Sequence, residues 1–251
     1  MNMISPTCAK ILNKINILIV ATLLSCQGNT RSTTADTTLP ISSDSTEKRS
    51  SSPEIKKEKS FVILEGEITK TVYEASKSSY HDFITYDSLT YAAKDGKIVL
   101  PVKNGQVVLT DNTGVPHDEN IETHKYIGQV KPIHKYVIEV HLYEDNFFVL
   151  IDMESGKKDT VNGFPYLSPD HQKIFASQFN PYETYDHINP PTQDVELFAV
   201  TKNGIGVIAS KPFSWYFKEV YWKDNHTIYV KATTVADGSD FIFKKLTITE
   251  Q

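Results

Sequence analysis

Few places in this chain could do chemistry. The densest set of metal-ligating side chains runs from Gly114 to His124, where His117, Asp118, Glu119, Glu122 and His124 put two imidazoles and three carboxylates within eight residues. Such a set binds a divalent cation only if the side chains converge. No H-E-x-x-H helix is present, and Pro116 and Asn120 favour a loop, so the stretch reads as solvated and acidic, and no metal is expected. Asp237-Gly238-Ser239-Asp240 lacks the later bidentate Glu of a calcium loop and reads as a hairpin turn. Asp111-Asn112-Thr113-Gly114 matches an aspartic-protease signature only loosely, because Asn112 interrupts it. Gly204-Ile205-Gly206 has neither a following helix nor the third glycine of a dinucleotide motif. There is no G-x-S-x-G. No catalytic residue is assigned, and no cofactor is expected.

Two aromatic-bearing stretches remain. Ser214 to Trp222 holds five aromatic residues in the eight from Trp215 onward. They either fill the core of a small sheet, the reading preferred here for Trp215, Phe217 and Trp222, or form a binding face. Asn180 to Pro191 is too polar for a strand and longer than most hairpin connections. Loops of this kind on a rigid sheet are where binding residues tend to sit. Tyr182 and Tyr185 offer flat apolar area, Glu183 and Asp186 offer acceptors, and Pro190-Pro191 stiffens the exit. These four residues form the candidate interaction surface, for a protein or glycan partner. The alternative is an ordinary connecting loop.

The elements that must position these residues read as strands. Short alternating apolar runs recur at Phe61-Val62-Ile63-Leu64, Lys97-Ile98-Val99-Leu100, Tyr136 to Val140, Phe147 to Ile151 and Thr227 to Val230. Asn104-Gly105 and Asn203-Gly204 separate pairs of such runs and predict hairpins with type I′ turns. No amphipathic helix of three turns is evident. Residues 61–251 are therefore expected to be all-β, antiparallel and built from hairpins. Strand, Gly turn, strand, aromatic strand, polar turn and strand occur twice, starting near Phe147 and Glu196, about 50 residues apart, a spacing expected of propeller blades.

Leu167-Ser168-Pro169-Asp170-His171-Gln172-Lys173-Ile174-Phe175-Ala176 resembles the S-P-D-G-x-x-I-A-F turn of TolB-like propeller repeats. In that family Pro and Asp build the turn between two blade strands. Here His171 stands where the family usually has glycine, and Asp224-Asn225-His226 holds the same place in the second unit without Ser-Pro. The resemblance covers about 100 residues and implies a small propeller-like domain. A β-sandwich is the alternative. Residues 61 to 135 show no clear copies of the repeat.

Residues 1–60 have a different composition. All 27 aromatic residues lie at or beyond Phe61, and all eight histidines lie beyond it. Lys10 and Lys14, with no acidic residue, precede an apolar run from Ile15 to Leu24, the layout of a secretory signal peptide. The run is too short for a membrane span, which needs about 20 residues. Leu23-Leu24-Ser25-Cys26 resembles the lipobox of bacterial lipoproteins, with Leu24 at a position where a smaller residue is commoner. The resemblance implies cleavage between Ser25 and Cys26 and acylation of Cys26, palmitate included. Residues 1–25 are then the signal peptide. Residues 26–60 are the lipidated cysteine and a tether, expected to be disordered because 14 of the 34 residues from Gln27 to Ser60 are Ser or Thr and few are apolar. Lys56, Lys57 and Lys59 read as a solvated patch on it.

Cys8 would leave with the signal, and lipidation would consume the sulfur of Cys26, which excludes a cysteine nucleophile and a disulfide scaffold. The formal net charge is −5, and removing Lys10 and Lys14 makes it −7. That balance argues against nucleic acid as a partner and against attraction to anionic headgroups, so the bilayer is expected to be held through acyl chains. The expected location is a bacterial cell envelope, at the outer membrane if there are two. The expected function is that of a non-enzymatic binding or scaffold module. An envelope hydrolase or sugar-active enzyme with unidentified carboxylates and a solute- or metal-binding lipoprotein are the alternatives.

Overall fold

The computed structural model describes residues 60–115, 119–235 and 238–251. The signal segment, Ser25, Cys26, the tether up to residue 59, His117, Asp118 and Asp237 lie outside the described residues.

The chain is all-β and antiparallel. In order it runs through β1 (Phe61–Glu67), helix α1 (Lys70–Lys77), β2 (Ile84–Tyr86), β3 (Lys97–Val102), β4 (Gly105–Thr110), β5 (Glu122–Val130), a 3-10 turn (Lys131–Ile133), β6 (Lys135–Leu142), β7 (Asn146–Asp152) and β8 (Lys158–Val161). It continues through β9 (Tyr166–Leu167), β10 (Lys173–Asn180), β11 (Thr192–Thr201), β12 (Gly204–Phe213), β13 (Tyr216–Asp224), β14 (Thr227–Thr233) and β15 (Phe241–Glu250). Three four-stranded meanders follow one another: β5-β6-β7-β8, extended by β2; β9 to β12; and β13-β14-β15, completed by β1. β3 and β4 form a separate hairpin. The first strand thus closes the last sheet, Phe61 facing Glu250. With more than two sheets, a two-sheet sandwich does not describe the domain.

The core lies in three interlayers, and strand periodicity decides which side chain enters which. On β7, Phe148 and Leu150 point toward the β9–β12 sheet, while Val149 and Ile151 point toward the β3–β4 hairpin. On β10, Ile174 and Ala176 share the first of these interlayers, and Phe175 turns to the opposite one with Trp215, Trp222 and Val230. A strand covered on both faces carries a continuous apolar run, as β7 does from Phe147 to Ile151, whereas β3 buries every second residue. The short helix α1, N-capped by the Thr69 hydroxyl accepting from the Val72 amide at 3.3 Å, covers the outer face of the last sheet. There the buried Tyr73 ring lies 5.1 Å from both Tyr221 and Phe243.

Two expectations need correction. The hairpins at Asn104-Gly105 and Asn203-Gly204 exist, but their turns are not type I′. Val102 faces Gly105 and Thr201 faces Gly204, so the two-residue loops are Lys103-Asn104 and Lys202-Asn203, and only the glycines have positive φ. Gly there relieves the strand entry, not the turn centre. The repeat unit also has a shifted phase. The period of four strands from β7 to β11 is real, but each unit read from sequence straddles two sheets, because the breaks fall before β9 and β13. Hydrophobic spacing carries the period of a meander. Which turn is a hairpin and which a crossing to the next sheet depends on packing.

The Ser168-Pro169-Asp170-His171 turn forms between β9 and β10. His171 takes the left-handed conformation, φ 60°, that glycine would adopt freely, at a cost of about 1–2 kcal/mol. Its ring packs edge-on to Phe83 at 4.7 Å. Asp170 accepts from the Gln172 amide and Asp224 from the His226 amide, so the two turns share one device.

Candidate functional site

The interlayer between the β2–β8 and β9–β12 sheets is filled at one end and open at the other. Pairing puts Ile174 opposite Phe198, Ala176 opposite Glu196, Gln178 opposite Asp194 and Asn180 opposite Thr192. Down this one face the side chains change from apolar to polar. Where they do, a cavity of about 940 Å³ opens. It is walled by the β6–β7 turn, the ends of β10 to β12, Asn162 after β8, and the loop that begins at Pro181.

That loop is built on a single carboxylate. Asp194 accepts from Asn180 Nδ2 at 2.9 Å, the Tyr185 hydroxyl at 2.6 Å and the Thr192 hydroxyl at 2.7 Å. Asn180 Oδ1 in turn accepts from the amides of Tyr182 and Glu183 at 3.0 and 2.9 Å, which starts the loop as an Asx turn. Tyr185 and Ile188 exchange backbone hydrogen bonds, and the Pro190–Pro191 peptide is cis. The two tyrosines therefore have different roles. Tyr182 is 82% exposed, whereas Tyr185 is half-buried, its phenol pKa pushed up by burial and then by the Asp194 hydrogen bond. Tyr182, Glu183 and Tyr185 line the cavity, while Asp186 is exposed and not part of its wall. Tyr185 is therefore tied to Asp194 and anchors the loop, whereas Tyr182 projects into solvent.

The deeper wall carries a carboxyl of another kind. Burial, followed by repulsion from Asp194, raises the pKa of Glu196 against hydrogen bonds from Asn162. Its Oε2 is buried and has no hydrogen-bond partner among the described residues. Asn162 sits close because Gly163 lets the chain pass β10. Gly163 has φ 102°, and a Cβ there would meet the Ser177 carbonyl oxygen at 2.0 Å. Lys211, on β12, is engaged elsewhere, donating to the Ile63 carbonyl at 3.2 Å with its ammonium 5.1 Å from the Phe213 ring centre. Sequence reasoning missed Asp194 and Glu196. Their signal was two acids at i and i+2 at the start of a strand that continues apolar from Leu197 to Val200, which puts both on one face.

The other candidates are placed as follows. His124 lies between two carboxylates, Nδ1 at 3.0 Å from Asp111 and Nε2 at 3.1 Å from Glu122. Among the described residues no group of three His, Cys, Asp or Glu side chains could hold a metal. Gly238 donates its amide to the Val235 carbonyl in a turn. Trp215 and Trp222 are buried core residues, their indole N–H groups donating to Glu65 at 3.2 Å and to the Tyr166 carbonyl at 2.8 Å. Among the described residues no helix is long and apolar enough to cross a membrane. No family model, curated protein or solved structure matches this chain.

Proposed function

We propose that this chain is a lipid-anchored lipoprotein of a bacterial cell envelope whose β domain is a non-enzymatic binding or scaffold module, with its ligand received in the pocket under the 181–191 loop. The observation that carries the binding role is the pocket itself: a volume within the range of small-molecule sites, left open where the apolar packing between two sheets ends. The anchor rests on Leu23-Leu24-Ser25-Cys26 after a basic and then apolar leader. In this reading the Ser25–Cys26 bond is cut and Cys26 is acylated.

One observation favours the enzymatic alternative. A carboxyl with a raised pKa, as Glu196 has, is what a general acid needs. Its strand neighbour Asp194 already accepts from three donors that hold the loop. That role supports binding over hydrolysis.

Labelling with a clickable fatty acid and membrane fractionation test the anchor. Cys26→Ala should lose the label and either leave the membrane fraction or accumulate as uncleaved precursor. A normally processed, acylated variant would overturn it. Capture of partners from solubilised envelope by the intact lipoprotein tests the pocket, since Tyr182→Ala should change what is captured and leave folding intact.

A further inference from the structure

Charge is unevenly distributed around the cavity. Among the described residues five acids line it, Glu144, Asp145, Glu183, Asp194 and Glu196, against one lysine, Lys211, whose ammonium is taken up by a backbone carbonyl and a ring. Asp194 is satisfied by its three donors, and Asp145 accepts from the Asn146 amide and the Gln178 side chain. Glu196 has a buried oxygen with no donor among the described residues. A buried acceptor left unmade costs stability, and a ligand whose donor draws that oxygen out toward the cavity recovers the cost on binding.

The rim differs from the floor. Tyr143 on the β6–β7 turn, Phe179 at the end of β10 and Tyr182 on the loop are 46%, 48% and 82% exposed, and all three line the same cavity. Aromatic faces attract ammonium groups and cover methylene chains. An anionic ligand would meet repulsion from several carboxylates. A neutral sugar could stack on the rings, but it brings no charge to balance the acids behind them.

From this arrangement, and resting on the reading of the pocket as a ligand site, we infer that the ligand is a small molecule with alkylammonium groups, a diamine or polyamine. Its methylenes lie on the Tyr143, Phe179 and Tyr182 rings, one ammonium donates to Glu196, and another stays near Glu144 and Glu183 at the mouth. The step is binding alone, with no bond made or broken.

Calorimetric titration of the full chain with spermidine tests the inference, with maltotriose as the neutral control and a lysine-containing tripeptide as the other source of the same group. Saturable spermidine binding is expected, weakened at least about tenfold when salt is raised from about 50 to about 500 mM, because screening acts on charge pairs. Glu196→Gln should weaken it about tenfold, and Tyr182→Ala about threefold to tenfold. Tyr182 is exposed, so its variant serves even if Glu196→Gln disturbs folding. The tripeptide should bind more weakly than spermidine; tighter binding would overturn the small-molecule assignment. Absence of saturable binding, indifference to Tyr182→Ala, or preference for maltotriose would overturn the inference. If spermidine fails while Tyr182→Ala still alters capture from envelope, the ligand class falls and the site stands; if both fail, the pocket is not the site.

Discussion

Two stretches of this chain, Ser214 to Trp222 and Asn180 to Pro191, look alike as compositions, each mixing aromatic rings with charge. In the fold they are opposites. Trp215, Phe217 and Trp222 pack between two sheets, with Trp215 and Phe217 ring centres 5.1 Å apart and both indole N–H groups hydrogen-bonded. Tyr182 stands in solvent at the mouth of a cavity, held there by an Asx turn and a carboxylate. The difference comes from backbone hydrogen bonding. From Tyr216 the first stretch enters a ladder with β14, so alternate side chains must face a neighbouring sheet. The second leaves the ladder after Asn180 and rejoins it at Thr192. Aromatic content therefore measures available contact area, and pairing decides whether that area is spent on stability or left for a ligand.

The sharpest way to break this contrast is Trp222→Ala. It removes a buried ring and leaves the Tyr166 carbonyl without its donor, and it should cost about 3–5 kcal/mol in urea unfolding. A cost below about 1 kcal/mol would put the Trp segment in the same class as the loop. Next comes Tyr185→Phe, which deletes one of three donors to Asp194 and should cost about 1 kcal/mol. Amide exchange across residues 181–191 should rise with it, while β13 stays protected.

Glu196→Gln tests the pocket floor. The folded protein holds Glu196 above its ordinary value of 4.5, so it favours the protonated form. A raised carboxyl makes folding less favourable as pH rises from 4.5 through the folded value. The glutamine variant should thus gain on the natural protein as pH rises through that window and keep the gain at neutral pH, as sites held for binding often allow. Unfolding curves at pH 4 and pH 7 would reveal it, and an equal difference at both would remove the pocket floor from the comparison. The smallest effect is that of Tyr182→Ala, within about 0.5 kcal/mol of the natural protein. A larger loss would mean that Tyr182 packs and that the loop belongs with the core.

The sequence by itself determined what local periodicity and composition can carry. Alternating runs such as Phe147 to Ile151 specified strands, because side chains on a strand point to opposite faces. The spacing from Phe147 to Glu196 specified the four-strand period, and the prolines and Asn180 specified a long loop before Thr192. Tertiary structure decided the rest. The sheet boundaries before β9 and β13 depend on which turns cross between layers. The turn residues at Lys103-Asn104 and Lys202-Asn203 depend on register. Above all, the pocket exists because Asp194 and Glu196 lie beside the β6–β7 turn some 50 residues earlier in the chain. No local pattern encodes that meeting. It arises when two sheets pack along an apolar face that turns polar at one end, and the side chains there are too polar to close the gap.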